Sequence, residues 1–233
     1  MAPKPLFLCT LLTFSLTFAR ISSAGLKYEV INEVPKTPGG IKFTEKIGIP
    51  YTKELLPTLT NFIWSTILQQ SSTSDRKPMD TIQVYIREST DAAGIKWGQS
   101  KINVSSNYLD IVQGDLKWDF TSVMYHEMTH VLQWDAEGKT PVNLVEGIAD
   151  FTRIKANYMP PSFAKPGDGD KWDQGYAFTA RFLEYCDGLF PGFVAKLNNK
   201  MRKTYDVSYF KELSGKPVEQ LWKEYKTKHG KRN

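Results

Sequence analysis

Two histidines four residues apart constrain this chain more than any other feature: His126 and His130, in Tyr125-His126-Glu127-Met128-Thr129-His130-Val131-Leu132-Gln133-Trp134. On a helix, side chains at i and i+4 leave one face, so both imidazoles can reach a single ion at the roughly 2.0–2.1 Å of a zinc–nitrogen bond. Glu127 lies about 100° further round such a helix. That offset keeps it off the metal but beside the open coordination position, where it can take a proton from water. Met128, Thr129, Val131 and Leu132 carry no charge and can be buried around a dry site. The chain has three histidines, and two of them fall in this motif; the third, His229, lies near the basic C-terminus. A pair of satisfied core histidines on one helix is the competing reading.

A catalytic zinc needs a third protein ligand. A third histidine in the extended motif would fall at position 136 with a glycine at 133, but the chain has Ala136 and Gln133. Asp135 and Glu137 lie just past the helix end and cannot readily turn back. Gly138 is a natural helix stop, and Thr140-Pro141 a natural start, with Thr140 as cap and Pro141 at the first position. The spacing therefore predicts a helix, a tight loop and a second helix running back past the first. On that second helix Glu146 is placed to become the third ligand. Asp150, one turn on, shares its face and can accept the outer N–H of a liganding histidine. Gly147 is expected to leave room beside the metal helix.

The first 24 residues have a different character. Lys4 supplies a short basic segment, Leu6 to Ala19 is a largely apolar run, and Ser22-Ser23-Ala24 offers small residues for cleavage, the pattern of a signal peptide. The run is too short to span a bilayer, which takes about 20 residues, and no later stretch qualifies. The mature chain is expected to begin near Gly25 and to be secreted. Cleavage removes Lys4, Arg20 and no acid, so the net charge falls from +5 to +3. Much of what remains sits at the end: Lys223, Lys226, Lys228, Lys231 and Arg232 stand against Glu224 alone. Residues 223–233 read as a solvated basic tail, with a weak contact to acidic cell-wall polysaccharide as its candidate role. Basic residues are not spread through the fold among aromatics, so no nucleic-acid partner is expected. Cys9 leaves with the signal, and Cys186 alone can form no internal disulfide; it reads as a buried structural thiol. Asn103-Val104-Ser105 is a glycosylation sequon, with Asn103 as acceptor.

With 41% hydrophobic and 24% charged residues, the chain can bury a real core, and disorder, collagen and a disulfide scaffold are excluded. One domain is expected over 25–233. Short β-prone runs, Lys27–Asn32, Thr81–Arg87 and Lys101–Ser105, are separated by Pro-Gly turns and a helix-like stretch over Lys53–Gln70. Helices are predicted over Phe120–Trp134, Pro141–Tyr158, Gln174–Tyr185, Phe193–Arg202 and Val218–Lys226. Strands first and helices second argue α+β, an N-terminal mixed or antiparallel sheet followed by a mainly helical half.

At this point a resemblance becomes definite. His126-Glu127-x-x-His130 followed by Glu146-x-x-x-Asp150 looks like the zincin peptidases whose third zinc ligand is glutamate. More narrowly, the block from Tyr125 to Tyr158, with Tyr108-Leu109 upstream and Thr179-Ala180-Arg181-Phe182-Leu183 downstream, resembles the plant basic secretory protein family over roughly 27–225. The resemblance implies a zincin-like fold, one zinc per chain, an extracellular or cell-wall location, a part in plant defence and peptidase activity. Trp172-Asp173-Gln174-Gly175-Tyr176 sits where some glutamate-ligand zincins carry an oxyanion-stabilising tyrosine, which makes Tyr176 the candidate.

The expected activity is hydrolysis of peptide bonds with Glu127 as general base, by a protein acting as a monomer on peptide or protein substrates. The absence of a Gly-x-Met-Glu-Asn segment favours endopeptidase over aminopeptidase. Lys101–Ser105 is expected to be the exposed edge strand that pairs with substrate, with Ile102 and Val104 facing in. Two alternatives stay open: a defence-related binding protein with a structural or inactive zinc site, and a wall-associated carbohydrate-binding protein acting through its tail and surface aromatics.

Overall fold

The computed structural model describes residues 25–89 and 93–229, so the expected signal peptide over 1–24 and the last residues of the chain lie outside the described residues. The polypeptide opens with β1 (Lys27–Asn32), α1 (Pro38–Lys46) and α2 (Gly48–Phe62), which runs into a π-helical turn over Ile63–Ile67. Strands β2 (Thr81–Arg87), β3 (Gly94–Trp97) and β4 (Lys101–Ser105) follow. Helices α3 (Ser106–Ile111), α4 (Leu116–Leu132), α5 (Val142–Ala156), α6 (Tyr176–Leu189), α7 (Phe193–Lys200), α8 (Tyr209–Ser214) and α9 (Val218–His229) complete the chain. The order is α+β, as the sequence pattern predicts. Three strands occupy the predicted spans.

The sheet is mixed, in the order β1-β2-β4-β3, with β1, β2 and β4 parallel and β3 antiparallel to β4. Its alternation is one-sided: Ile82, Val84, Ile86, Ile102 and Val104 are buried on one face. This face meets the helices in a common core with Phe43, Leu59, Phe120, Met124 and Met128. The other face carries partly exposed polar side chains, including a Gln83–Glu29 hydrogen bond across β2 and β1.

Lys101–Ser105 is an inner strand, which corrects the expectation that it forms the edge. The edge beside it is β3, which at four residues is too short to show an alternation and opens on a glycine. Asn103 therefore lies on an inner strand, where its Oδ1 accepts from Arg87 at 3.5 Å.

Pro38-Gly39-Gly40 reads as a turn but begins α1. Thr37 caps it by accepting from Gly40 N–H at 3.2 Å, and Pro38 takes a first-turn position where no donor is needed. The two glycines are required by packing, since a Cβ would stand 1.8 Å from Ser106 O at Gly39 and 1.8 Å from Val34 O at Gly40. Thr140 is not the cap of α5. Pro141 holds that position with φ −51° and ψ 128°, and Thr140 Oγ1 is buried without a hydrogen-bond partner. Residues 223–229 are not a free tail. They belong to α9, where Tyr225 is buried and Lys226 Nζ donates to the carbonyls of Gly167 and Gly169 at 2.6 and 2.7 Å. Among the described residues no helix is long and apolar enough to cross a membrane.

Candidate metal centre and cleft

Helix α4 crosses the core with one face against the sheet and the other against α5. Asp115 starts it, accepting from Trp118 N–H at 3.0 Å. It ends at Leu132, after which Ala136, Glu137 and Gly138 all take positive φ (55°, 57° and 82°) to reverse the chain. The reversal returns the chain as α5, antiparallel to α4 and packed on it.

That hairpin of helices brings three ligand-type side chains together. Nε2 of His126 lies 2.9 Å from Nε2 of His130 and 3.0 Å from Oε2 of Glu146, and His130 Nε2 is 3.3 Å from the same oxygen. The three donor atoms lie within 4.8 Å of one another and could hold a metal ion. On its outer side, His126 Nδ1 donates to Oδ1 of Asp150 at 2.8 Å. With the proton on Nδ1, the Nε2 lone pair faces the other donors, which is the tautomer a metal ligand needs. Two imidazoles and a carboxylate so arranged are a donor set that a divalent cation could take.

The electrostatics describe the same centre with a proton in place of a cation. Burial disfavours charge on His126, but the hydrogen bonds to Asp150 and Glu146 outweigh it and raise its pKa to about 9. Burial also opposes ionisation of Glu146, and bonds from His126 and His130 overcome it, bringing its pKa down to about 2. A proton shared among these groups and a divalent cation are competitors for one location.

Glu127 is 5% exposed, and its Oε2 is buried with no hydrogen-bond partner. Burial pushes its carboxyl up, against the charges of His126 and His130 and a hydrogen bond from the Lys96 backbone. A buried carboxylate oxygen without a donor leaves an acceptor for a water or substrate proton.

Sequence reasoning missed two supporting residues. Arg153 Nη1 donates to Asp150 Oδ1 at 3.1 Å and its Nε to Ser122 Oγ at 3.0 Å, so Asp150 is itself held. Gln133 lies against His130, its side-chain amide 2.8 Å from Nδ1, while Oε1 has no partner. The Nε2 of the same amide donates to the Val145 carbonyl at 3.2 Å, which ties the amide beside His130 to α5. Both residues sit at i+3 from the group they orient, a spacing that was available in the sequence.

These groups line a cleft of about 530 Å³, with His126, Glu127, His130 and Glu146 on one side and Gly94, Ile95 and Lys96 of the edge strand on another. Tyr176 joins them from the start of α6. Its φ is 44°, its side chain is exposed, and its ring lies nearly parallel to that of His126 at 6.1 Å between centroids. The turn that presents it is built by Gly175, at φ 95°, whose N–H donates to Thr179 Oγ1 at 2.8 Å. Gly147 is needed for a different contact than expected: a Cβ there would stand 2.3 Å from Cγ2 of Thr179, so it admits α6 rather than the metal helix. Cys186 is fully buried on α6, and burial pushes its thiol up, which fits a structural residue.

A family model described as "Peptidase of plants and bacteria" (BSP) matches residues 23–225. The chain belongs to this family. A relative from Boswellia serrata named "Basic secretory protease" is 45% identical over 60 residues, which covers 26% of this chain and 69% of that protein. No solved structure matches it. The matched region of this BSP-family chain takes in β1 to α9 almost whole and so includes every group lining the cleft.

Proposed function

We propose that the chain is a secreted zinc-dependent endopeptidase acting in plant defence, with His126, His130 and Glu146 as metal ligands and Glu127 as general base. The observation that carries the reading is the convergence of three ligand atoms within 4.8 Å beside a buried, unpartnered Glu127 oxygen in an open cleft. When bound, zinc supplies a Lewis acid that polarises a carbonyl and acidifies water. Glu127 accepts the proton of the attacking water and gives it to the leaving amine, a double duty suited to a carboxyl raised by burial. Asp150 keeps His126 in the ligating tautomer. The Tyr176 hydroxyl, whose pKa is raised by partial desolvation and by the nearby Glu146, Asp150 and Glu127, donates to the developing oxyanion. An extended substrate lies along β3, whose backbone forms the cleft wall. Secretion rests on the signal-like residues 1–24 and on the name of the Boswellia relative.

The test is hydrolysis of a mixed peptide library by the secreted protein beside Glu127→Ala, with products read by mass spectrometry and zinc content measured on both. Cleavage by the wild type alone supports the proposal. Two inert proteins, each holding one zinc, would refute it in favour of a binding protein with a structural metal site.

A further inference from the structure

Beside the cleft lies a second recess of about 450 Å³, and Lys96 of the edge strand lines both. The Trp134 indole, two residues past the end of α4, lines it. Lys77 Nζ sits 5.9 Å from that ring and the Arg202 guanidinium 4.9 Å from it. Three cations, Lys77, Lys96 and Arg202, thus face the recess against two carboxylates, Asp135 and the exposed Glu137.

The carboxylates do not close the balance. Asp135 divides itself between Lys77 at 4.0 Å and Lys96 at 3.9 Å, both at the outer limit of an ion pair. The Lys77 side chain is only 17% exposed. Burial lowers its pKa to about 8; Asp135 offsets this in part and Lys96 adds to it. Arg202 spends one nitrogen on the Ser74 carbonyl at 2.7 Å and has further donors in its fork. Three cations against two carboxylates leave this partly desolvated recess with an excess positive charge beside an aromatic ring.

We propose that this recess is a specificity subsite that takes an acidic side chain of the peptide substrate, with Lys77 and Arg202 as the recognising cations. The inference rests on the peptidase reading. The continuity through Lys96 supplies the route, since an extended chain along β3 presents same-side residues about 7 Å apart, and one side chain beyond the cleft enters the recess. A carboxylate there replaces water around Lys77 and pairs with the Arg202 fork.

The test profiles library cleavage by the wild type, Lys77→Gln, Arg202→Gln and the double variant, reading Glu-over-Gln and Asp-over-Asn ratios at each position flanking the cut bond. The wild type is expected to favour acid ~10-fold at one position, with the ratio falling toward unity in the double variant. Lys77→Glu is expected to move the preference at that position to lysine. Thermal melts and zinc content establish that each variant is folded; should a Lys77 variant fail to accumulate, Arg202→Gln decides alone. Cleavage without acid preference, or a preference that survives the substitutions, overturns the subsite and leaves the peptidase intact. A wild type that cleaves nothing overturns the peptidase reading and the subsite with it.

Discussion

Gly94 and Glu127 are in contact across the cleft: a Cβ on Gly94 would stand 2.8 Å from Cγ of Glu127 and 2.9 Å from Cγ1 of Val123. The edge strand and the metal helix approach this closely only because position 94 has no side chain. Gly94→Ala is expected to displace the Glu127 carboxylate and to lower kcat ~10–100-fold, because small misplacements of a reacting group are costly. Zinc content should be unchanged. Full activity in the alanine variant would show that Glu127 tolerates the shift.

Asp150 holds His126 Nδ1 at 2.8 Å and, in the proposed site, would act on a bound metal through it. Asp150→Asn keeps the shape, but an amide nitrogen turned toward Nδ1 would favour the wrong tautomer. Zinc affinity, measured by competition with a chromophoric chelator, is expected to fall ~10–100-fold. An unchanged affinity would remove Asp150 from the site's support.

The metal-free protein should have a defined pH window. His126 is raised to about 9, so its contribution to stability is complete below about 6.5, its unfolded value, and is lost as pH rises through 9. Glu146 is lowered to about 2, so its contribution is complete above the ordinary glutamate value and is lost as pH falls through 2. Melting temperature in chelator is expected to be highest near pH 5–6 and to decline toward pH 9, while zinc affinity rises over the same interval as the proton leaves. A flat melting profile between pH 6 and 9 in chelator would count against the His126–Asp150–Glu146 coupling.

Gly147→Ala puts a methyl 2.3 Å from Cγ2 of Thr179. Overpacking of this kind is expected to cost ~1–3 kcal/mol. Thr179→Ser in the same chain removes that methyl and keeps the hydroxyl that bonds Gly175 N–H and the Trp172 carbonyl. The double variant should recover part of the loss in a denaturant titration. No recovery would place the strain elsewhere.

Tyr176→Phe removes only the hydroxyl from an exposed ring. If it serves the oxyanion, kcat is expected to fall ~10–100-fold with KM little changed. A proportionate rise in KM alone would make it a substrate-binding group.

What the sequence by itself determined is local. The i and i+4 spacing of His126 and His130, the helix stop at Gly138 and the i and i+4 spacing of Glu146 and Asp150 already specify a hairpin of helices with four polar side chains facing one another. The strands Lys27–Asn32, Thr81–Arg87 and Lys101–Ser105 were equally legible, because a period of two with one buried face is written in each short segment. Tertiary structure decided where these pieces stand relative to one another. Strand order makes β4 an inner strand and the unforeseen β3 the cleft wall, since pairing partners are chosen by long-range packing rather than by a segment's own alternation. Gly39 and Gly40 read as a turn in one dimension, Gly147 as room beside the helix of His126, and Gly94 carries no signal at all. In three dimensions each marks a place where two backbones or a backbone and a side chain come too close for a Cβ. The recess over Trp134 gathers Lys77, Lys96 and Arg202 from distant parts of the chain, and only folding brings their charges within reach of a shared carboxylate or substrate.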